Sequence, residues 1–217
     1  MSKKTLGDQT FVFAKVWSLL FLGGYSLKLL EERIKQDGVV LPGNVLKVNQ
    51  FLNHQIDPQL MYEIGQEFER LFKGEAVTKI LTVEASGIAP AIMAGLVMDV
   101  PVVFARKKKP STLDNDVYAA EVYSYTKKVT NTISVDQKFL SETDRVLVID
   151  DFLANGQAVL GLLEICQQAN AHIVGAGVVV EKSFQDGAKL IKERGVRLES
   201  LARIASFEGD KVHFVGE

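Results

Sequence analysis

The chain has 217 residues, 47% of them apolar, with mixed charges and a formal net charge of −2. That balance suits one globular domain with a sizeable core. It excludes the concentrated basic make-up of a nucleic-acid-binding domain, and no apolar run is long enough to span a bilayer. The one cysteine, Cys166, has no partner within the chain for a disulfide, which fits a reducing cytoplasm. It falls on an apolar helical stretch, where packing is its ordinary role.

Lys3 and Lys4 precede an apolar run from Phe11 to Leu22, broken by Lys15 and without a small-x-small cleavage site. Leu27 to Gln36 places Leu27, Leu30 and Ile34 on one helical face, with Gly38 as the stop. Val39 to Val48 reads as a turn and short strand around Pro42-Gly43. Asp57 is an N-cap and Pro58 a first helical residue, opening a helix to about Phe72 with Leu60, Ile64, Phe68 and Leu71 inward. Thr78 to Val83 is a strand, Ile88 to Met98 a helix and Pro101 to Ala105 the next strand. Such a unit is right-handed and parallel, with ligand sites at the carboxyl ends of its strands. Glu84-Ala85-Ser86-Gly87 occupies one such end and Arg106-Lys107-Lys108-Lys109 another. Pro110 to Asn115 is a polar, turn-rich loop. Glu121 to Thr126 and Thr132 to Val135 read as two antiparallel strands, a flexible flap over the site.

The stretch from Val146 to Ala158, VLVIDDFLANGQA, organises the rest. Four apolar residues in a row mark a strand buried on both faces. Asp150 and Asp151 follow, then a turn from Phe152 to Gly156, then a helix from Gln157 to Ala169. A helix N-terminus offers free N–H groups and partial positive charge, and Gly156 beside small Ala154 lets a phosphate approach the backbone. Neither a Walker loop nor a dinucleotide loop is present. Two carboxylates would repel a bare phosphate. They suit a ligand carrying hydroxyls, or developing positive charge, just beyond it. Ribose 5-phosphate does both. The plain alternative is a surface turn whose acids cap the helix. Beyond this point Ile173 to Val180 is a buried strand ending at Glu181-Lys182-Ser183-Phe184, Asp186 to Arg194 a short helix, and Arg197 to Ile204 and Lys211 to Val215 strands.

The strand, acid pair, small-residue loop and helix resemble the phosphoribosyl diphosphate (PRPP) signature of type I phosphoribosyltransferases. The resemblance implies an α/β fold: a parallel-sheet core with flanking helices, a flap and a small hood from both termini. It also implies that PRPP is held at Ala154, Asn155, Gly156, Gln157 and Ala158. Displacing diphosphate from C1 passes through an oxocarbenium-like state, as in glycoside hydrolysis. Asp150 and Asp151 are the acids placed to favour it; being adjacent in an extended segment, they face opposite ways and are expected to differ in role. Ala85, Ser86 and Gly87 can give N–H groups to the diphosphate, with Mg2+ held mainly by PRPP oxygens and water rather than by a direct protein ligand set. Arg106 and Lys107 open a basic run that reads either as counter-charge to diphosphate or as a solvated loop. Tyr118, Tyr123 and Tyr125 either close over PRPP or pair across strands.

Over Leu27 to Glu217 the stretches VLKVNQFLNHQIDP, ASGIAPA, PVVFARK, VVVEKSF and ESLARI are similar to the xanthine-using branch of that family. This implies that Leu46, Asn53 and Lys182 contact the purine, in a cytoplasmic homodimer that salvages xanthine as xanthosine 5-phosphate. Lys182, purely a donor, suits an oxo group and opposes the amino group of adenine. Taken alone, Leu46 reads as core, Asn53 as a turn residue and Lys182 as a solvated loop lysine. Adenine-type relatives carry Arg where Ser86 stands, and some relatives Thr where Asn53 stands. The competing readings are a transferase preferring guanine or hypoxanthine, and a PRPP-sensing transcription regulator; for the latter, the segment before Leu27 is too short for a winged helix. Because the resemblance begins at Leu27, residues 1–26 are expected to be a translated leader outside a single domain spanning 27–217. His54, His172 and His213 show no metal-site spacing.

Overall fold

The computed structural model describes residues 25–107, 116–124 and 128–217. Residues 1–24, among them most of the expected leader, Lys108 and Lys109, the loop at 110–115, and residues 125–127, which include Tyr125, lie outside the described residues. In chain order the elements are α1 (Tyr25–Asp37), β1 (Val39–Leu41), β2 (Val45–Lys47), a π turn (Asn49–Asn53), α2 (Pro58–Leu71), β3 (Lys79–Val83), α3 (Ile88–Met98), β4 (Val102–Ala105), β5 (Val117–Ser124), β6 (Val129–Asp136), β7 (Arg145–Leu153), α4 (Gln157–Gln168), β8 (His172–Lys182), α5 (Gly187–Glu193), β9 (Leu198–Glu208) and β10 (Lys211–Phe214).

The central sheet has six strands in the order β10-β9-β8-β7-β3-β4. All pairings are parallel except β9 with β10. Val146, Leu147, Val148 and Ile149 are fully buried at its centre, as an apolar run covered on both faces demands. On one face Leu30, Ile34, Phe51, Leu60, Phe68, Ala91 and Ala94 join Leu147, Ile149 and Leu201 in one cluster. On the other, Leu81, Val148 and Val178 pack with Val159, Leu162, Ile165 and Ile191, and with Ala120 and Ile133 of the β5–β6 hairpin. The result is a helix–sheet–helix sandwich whose strand ends carry loops at one edge. Asp57 caps α2 as expected, its carboxylate accepting from the N–H groups of Gln59 and Leu60 at 3.1 and 3.2 Å.

Two boundaries differ from the sequence reading in ways that matter to the site. The central strand does not stop at the acids: β7 continues through Asp150, Asp151 and Phe152 to Leu153. Neighbouring β8 also runs on, pairing Phe152 with Val180 and Leu153 with Glu181, so backbone partners exist past the acids. The turn therefore shrinks to Ala154–Gly156. The C-terminal strands widen the central sheet, and α1 packs onto them: Leu30 and Ile34 share a cluster with Leu201, Val212 and Phe214. Lys35 of α1 pairs with Glu217, closing the hood across the two ends of the described fold.

The hairpin stem is docked rather than hinged away. Ala120, Ile133 and Val135 are buried. The Gln168 side-chain amide lies against β5 like a short strand, accepting from Ala119 N–H at 3.0 Å and donating to Ala119 C=O at 2.7 Å. Arg106 and Ser134 exchange two backbone hydrogen bonds of 2.9 and 3.0 Å, tying the hairpin to the end of β4.

Candidate active site

A cavity of about 350 Å3 opens at the carboxyl edge of the sheet. It is lined by Glu84, Ala85 and Ser86 from the β3–α3 turn, Lys107 beyond β4, Tyr123 and Asn131 of the hairpin, and Asp150, Asp151 and Ala154–Ala158 of the signature. The strand-end rule thus brings together segments far apart in sequence.

The turn into α4 has the geometry of an anion site. Gly156 adopts φ 77°, a left-handed conformation that glycine takes without strain. It sits at the N-cap and makes no side-chain cap. The first helical bond runs from Leu160 N–H to Gly156 C=O at 2.9 Å, so the amides before Leu160 are left out of the helix ladder. Those amides and the dipole face an anion-sized opening.

The acids lie at the mouth of this loop. Asp150 is 4% exposed and its Oδ1 accepts from Asp151 N–H at 3.0 Å. Burial pushes its carboxyl well above the ordinary carboxylate range, and the Asp151 charge raises it further. Burial also raises Asp151, although hydrogen bonds from Asp150 and from the backbone act the other way. The Lys107 charge pulls both down, by less than burial raises them. A buried acid pair of this kind is held ready for a positive partner or for hydroxyl donors. Beside it, Thr82 is fully buried and its Oγ1 has no hydrogen-bond partner among the described residues. Gly87 completes this corner: a Cβ there would overlap Thr82 Oγ1 and lie 2.9 Å from Asp150 Oδ1. Gly87 therefore supports the site from beneath, while Ala85 and Ser86 face the cavity.

The two described residues of the basic run part company. Lys107 lines the cavity, and its N–H donates to Glu84 Oε1 at 2.6 Å, joining the two strand-end loops. Arg106 points elsewhere, with its guanidinium 5.8 Å from the Phe104 ring centre. Tyr123 borders the cavity, whereas Tyr118 packs against the core.

The three residues expected at the base do not line this cavity. Leu46 is 7% exposed and built into the core. Asn53 is exposed at the end of the π turn. Lys182, at the end of β8, donates from Nζ to the carbonyl of Asn44 at 2.8 Å, in the β1–β2 turn two residues before Leu46. Loss of water around this ammonium lowers its pKa. Lys182 thus reaches the hairpin that carries Leu46. Thr82 and Asn131 were not singled out from the sequence, because each lies inside a strand with no motif of its own. Glu84 was placed at this edge by the strand-end rule, but without a role. Among the described residues no group of three or more His, Cys, Asp or Glu could hold a metal ion. No described helix is long and apolar enough to cross a membrane.

Comparison with known proteins agrees with this geometry. Residues 55–200 match the phosphoribosyl transferase domain model. A xanthine phosphoribosyltransferase of Ligilactobacillus salivarius is 72% identical over 191 residues, covering 88% of this chain and 100% of the relative. One from Lactobacillus johnsonii is 64% identical over the same shares of the two chains. Among solved structures, adenine phosphoribosyltransferase from Rhodothermus marinus superposes with a TM-score of 0.66 at 21% identity, over 82% of this chain and 99% of that one, a likeness of fold. The chain belongs to the phosphoribosyltransferase family.

Proposed function

We propose that this protein transfers the 5-phosphoribosyl group of PRPP to N9 of xanthine, giving xanthosine 5-phosphate and diphosphate. It works in purine salvage, in the cytoplasm, as a homodimer. One observation carries the reading: the free amides at the start of α4 and the Asp150–Asp151 pair share a cavity with Lys107. An anion at the amides leaves a ribose within reach of the acids and a diphosphate toward Lys107 and the Ala85–Ser86 turn. The C1–O bond to diphosphate breaks ahead of C1–N9 bond formation, and the base proton passes to solvent or to the departing diphosphate. Carboxylates near C1 stabilise the positive charge that develops between these events. The hairpin stem and Tyr123 limit water at that moment, protecting the cation from hydrolysis.

Mg2+ fits this site as a guest of the substrate. In this reading PRPP oxygens and water hold it, with Asp150 and Asp151 the acids beside it. When bound it neutralises diphosphate charge. The choice of xanthine rests on the names of the similar proteins and on Lys182, whose donors match an oxo group. Leu46 and Asn53 are the further base contacts in this reading. Lys182 reaches the base by giving up its bond to the Asn44 carbonyl or by sharing its remaining protons.

The test is a competition assay with PRPP and xanthine, guanine, hypoxanthine and adenine together. Xanthosine 5-phosphate as the main product is the expected result. A dominant guanine or adenine product would refute the base assignment, and no product from any base would refute the activity.

A further inference from the structure

Gly187 lies outside every motif read from the sequence, yet it touches the phosphate loop more closely than any other described glycine. It opens α5, in the turn after Lys182, and its N–H donates to the carbonyl of Ala154 at 3.0 Å. A Cβ on Gly187 would overlap that carbonyl, lie 2.8 Å from Gly156 N and come 3.0 Å from Leu153 Cδ1. The reciprocal contact is as tight: a Cβ on Gly156 would lie 2.9 Å from Gly187 Cα. Two backbones thus meet without side chains between them, one in the phosphate loop and one in the turn beyond β8. Gly187 is itself buried.

We propose that Gly187 is a positioning residue for PRPP. Resting on the reading above, it pins the Ala154 carbonyl away from the anion and keeps the free amides of residues 154–158 turned toward the cavity. A carbonyl rotated inward would present an acceptor to the phosphate and remove an aligned donor. The contact also joins the loop that holds PRPP to the segment that carries Lys182. The two substrates therefore share a rigid wall built of main chain.

The test compares Gly187→Ala with Gly195→Ala. Gly195 stands just past the other end of α5 at φ 71°, with nothing within 4 Å of its missing side chain. Alanine there destabilises through backbone strain alone. Gly187→Ala is expected to raise the PRPP KM at least about tenfold (about 1.4 kcal/mol) with kcat and the xanthine KM changed less than threefold. Gly195→Ala is expected to lower the melting temperature and leave the PRPP KM unchanged. An unchanged PRPP KM in Gly187→Ala, or equal rises in both KM values in both variants, overturns the proposal. If Gly187→Ala does not fold, hydrogen exchange of residues 183–188 in the wild-type protein decides. Slower exchange on adding ribose 5-phosphate supports the contact, and no change refutes it. Ribose 5-phosphate calorimetry separates this inference from the enzymatic one. Wild-type protein that binds the sugar phosphate but makes no nucleotide defeats the xanthine reading alone, while weaker sugar-phosphate binding by Gly187→Ala still supports the role of Gly187.

Discussion

The proposed phosphate end and the proposed base end of the site are built on different plans. At the phosphate end a single continuous segment, β7 into α4, supplies acids, amides and glycine within nine residues of chain, Asp150 to Ala158. The residues proposed for the base, Leu46, Asn53 and Lys182, come from a hairpin, a turn and a strand end, and of these Lys182 is tied to the hairpin by its hydrogen bond to Asn44. A ligand group common to a whole family can be gripped by one compact motif. A ligand group that distinguishes members is met by side chains on separate elements, where each can change without disturbing the grip.

The largest expected effect falls on the acids. Asp150→Asn and Asp151→Asn should each lower kcat at least about tenfold, about 1.4 kcal/mol of barrier, in a PRPP-saturated assay. Asp150→Asn should also raise the melting temperature at neutral pH. Its folded pKa is raised, so the carboxyl costs least stability below its unfolded pKa, and stability is lost as pH rises through the higher folded value. Asparagine removes that loss. A gain of about 1 kcal/mol would appear as about 2–4 °C in a chain of this size. A variant both less active and less stable would contradict the burial cost assigned to the acid pair. For the same reason the acid limb of the kcat/KM profile should lie above the ordinary carboxylate range near pH 4.

This contrast also explains what could be read before the fold was seen. The signature was legible because its apolar run, acids, glycine and helix sit in one window and each has a local physical signature. Asp57 and Pro58 announced α2 in the same way. The extension of β7 to Leu153 was not legible, since it depends on β8 offering partners that lie about thirty residues further along the chain. Nor was the divergence of Arg106 from Lys107, or the approach of Gly187 to Gly156. Both are decided by neighbours in space rather than in sequence.

Smaller effects sharpen the same comparison. Lys182→Ala should raise the xanthine KM about tenfold, in line with about 1.5–3 kcal/mol for a hydrogen bond to a charged group, while the PRPP KM stays within threefold. Equal losses for both substrates would place Lys182 in the scaffold. Lys107→Ala should raise the PRPP KM by about threefold, and less so at high salt, because a partly exposed charge is screened. No salt dependence would detach it from the diphosphate. Gln168→Ala, which removes the two bonds to β5, should cost about 1–2 kcal/mol of stability in urea unfolding and leave both KM values near wild type. A large rise in PRPP KM would show that the docked hairpin, too, shapes the phosphate end.

The central claim is that a sugar phosphate is gripped where β7 turns into α4. A crystal structure with ribose 5-phosphate bound tests it directly. The phosphate oxygens should lie about 2.7–3.2 Å from amide nitrogens within residues 154–158, with the ribose hydroxyls toward Asp150 or Asp151. A phosphate bound elsewhere in the molecule, with those amides facing only water, would contradict the account.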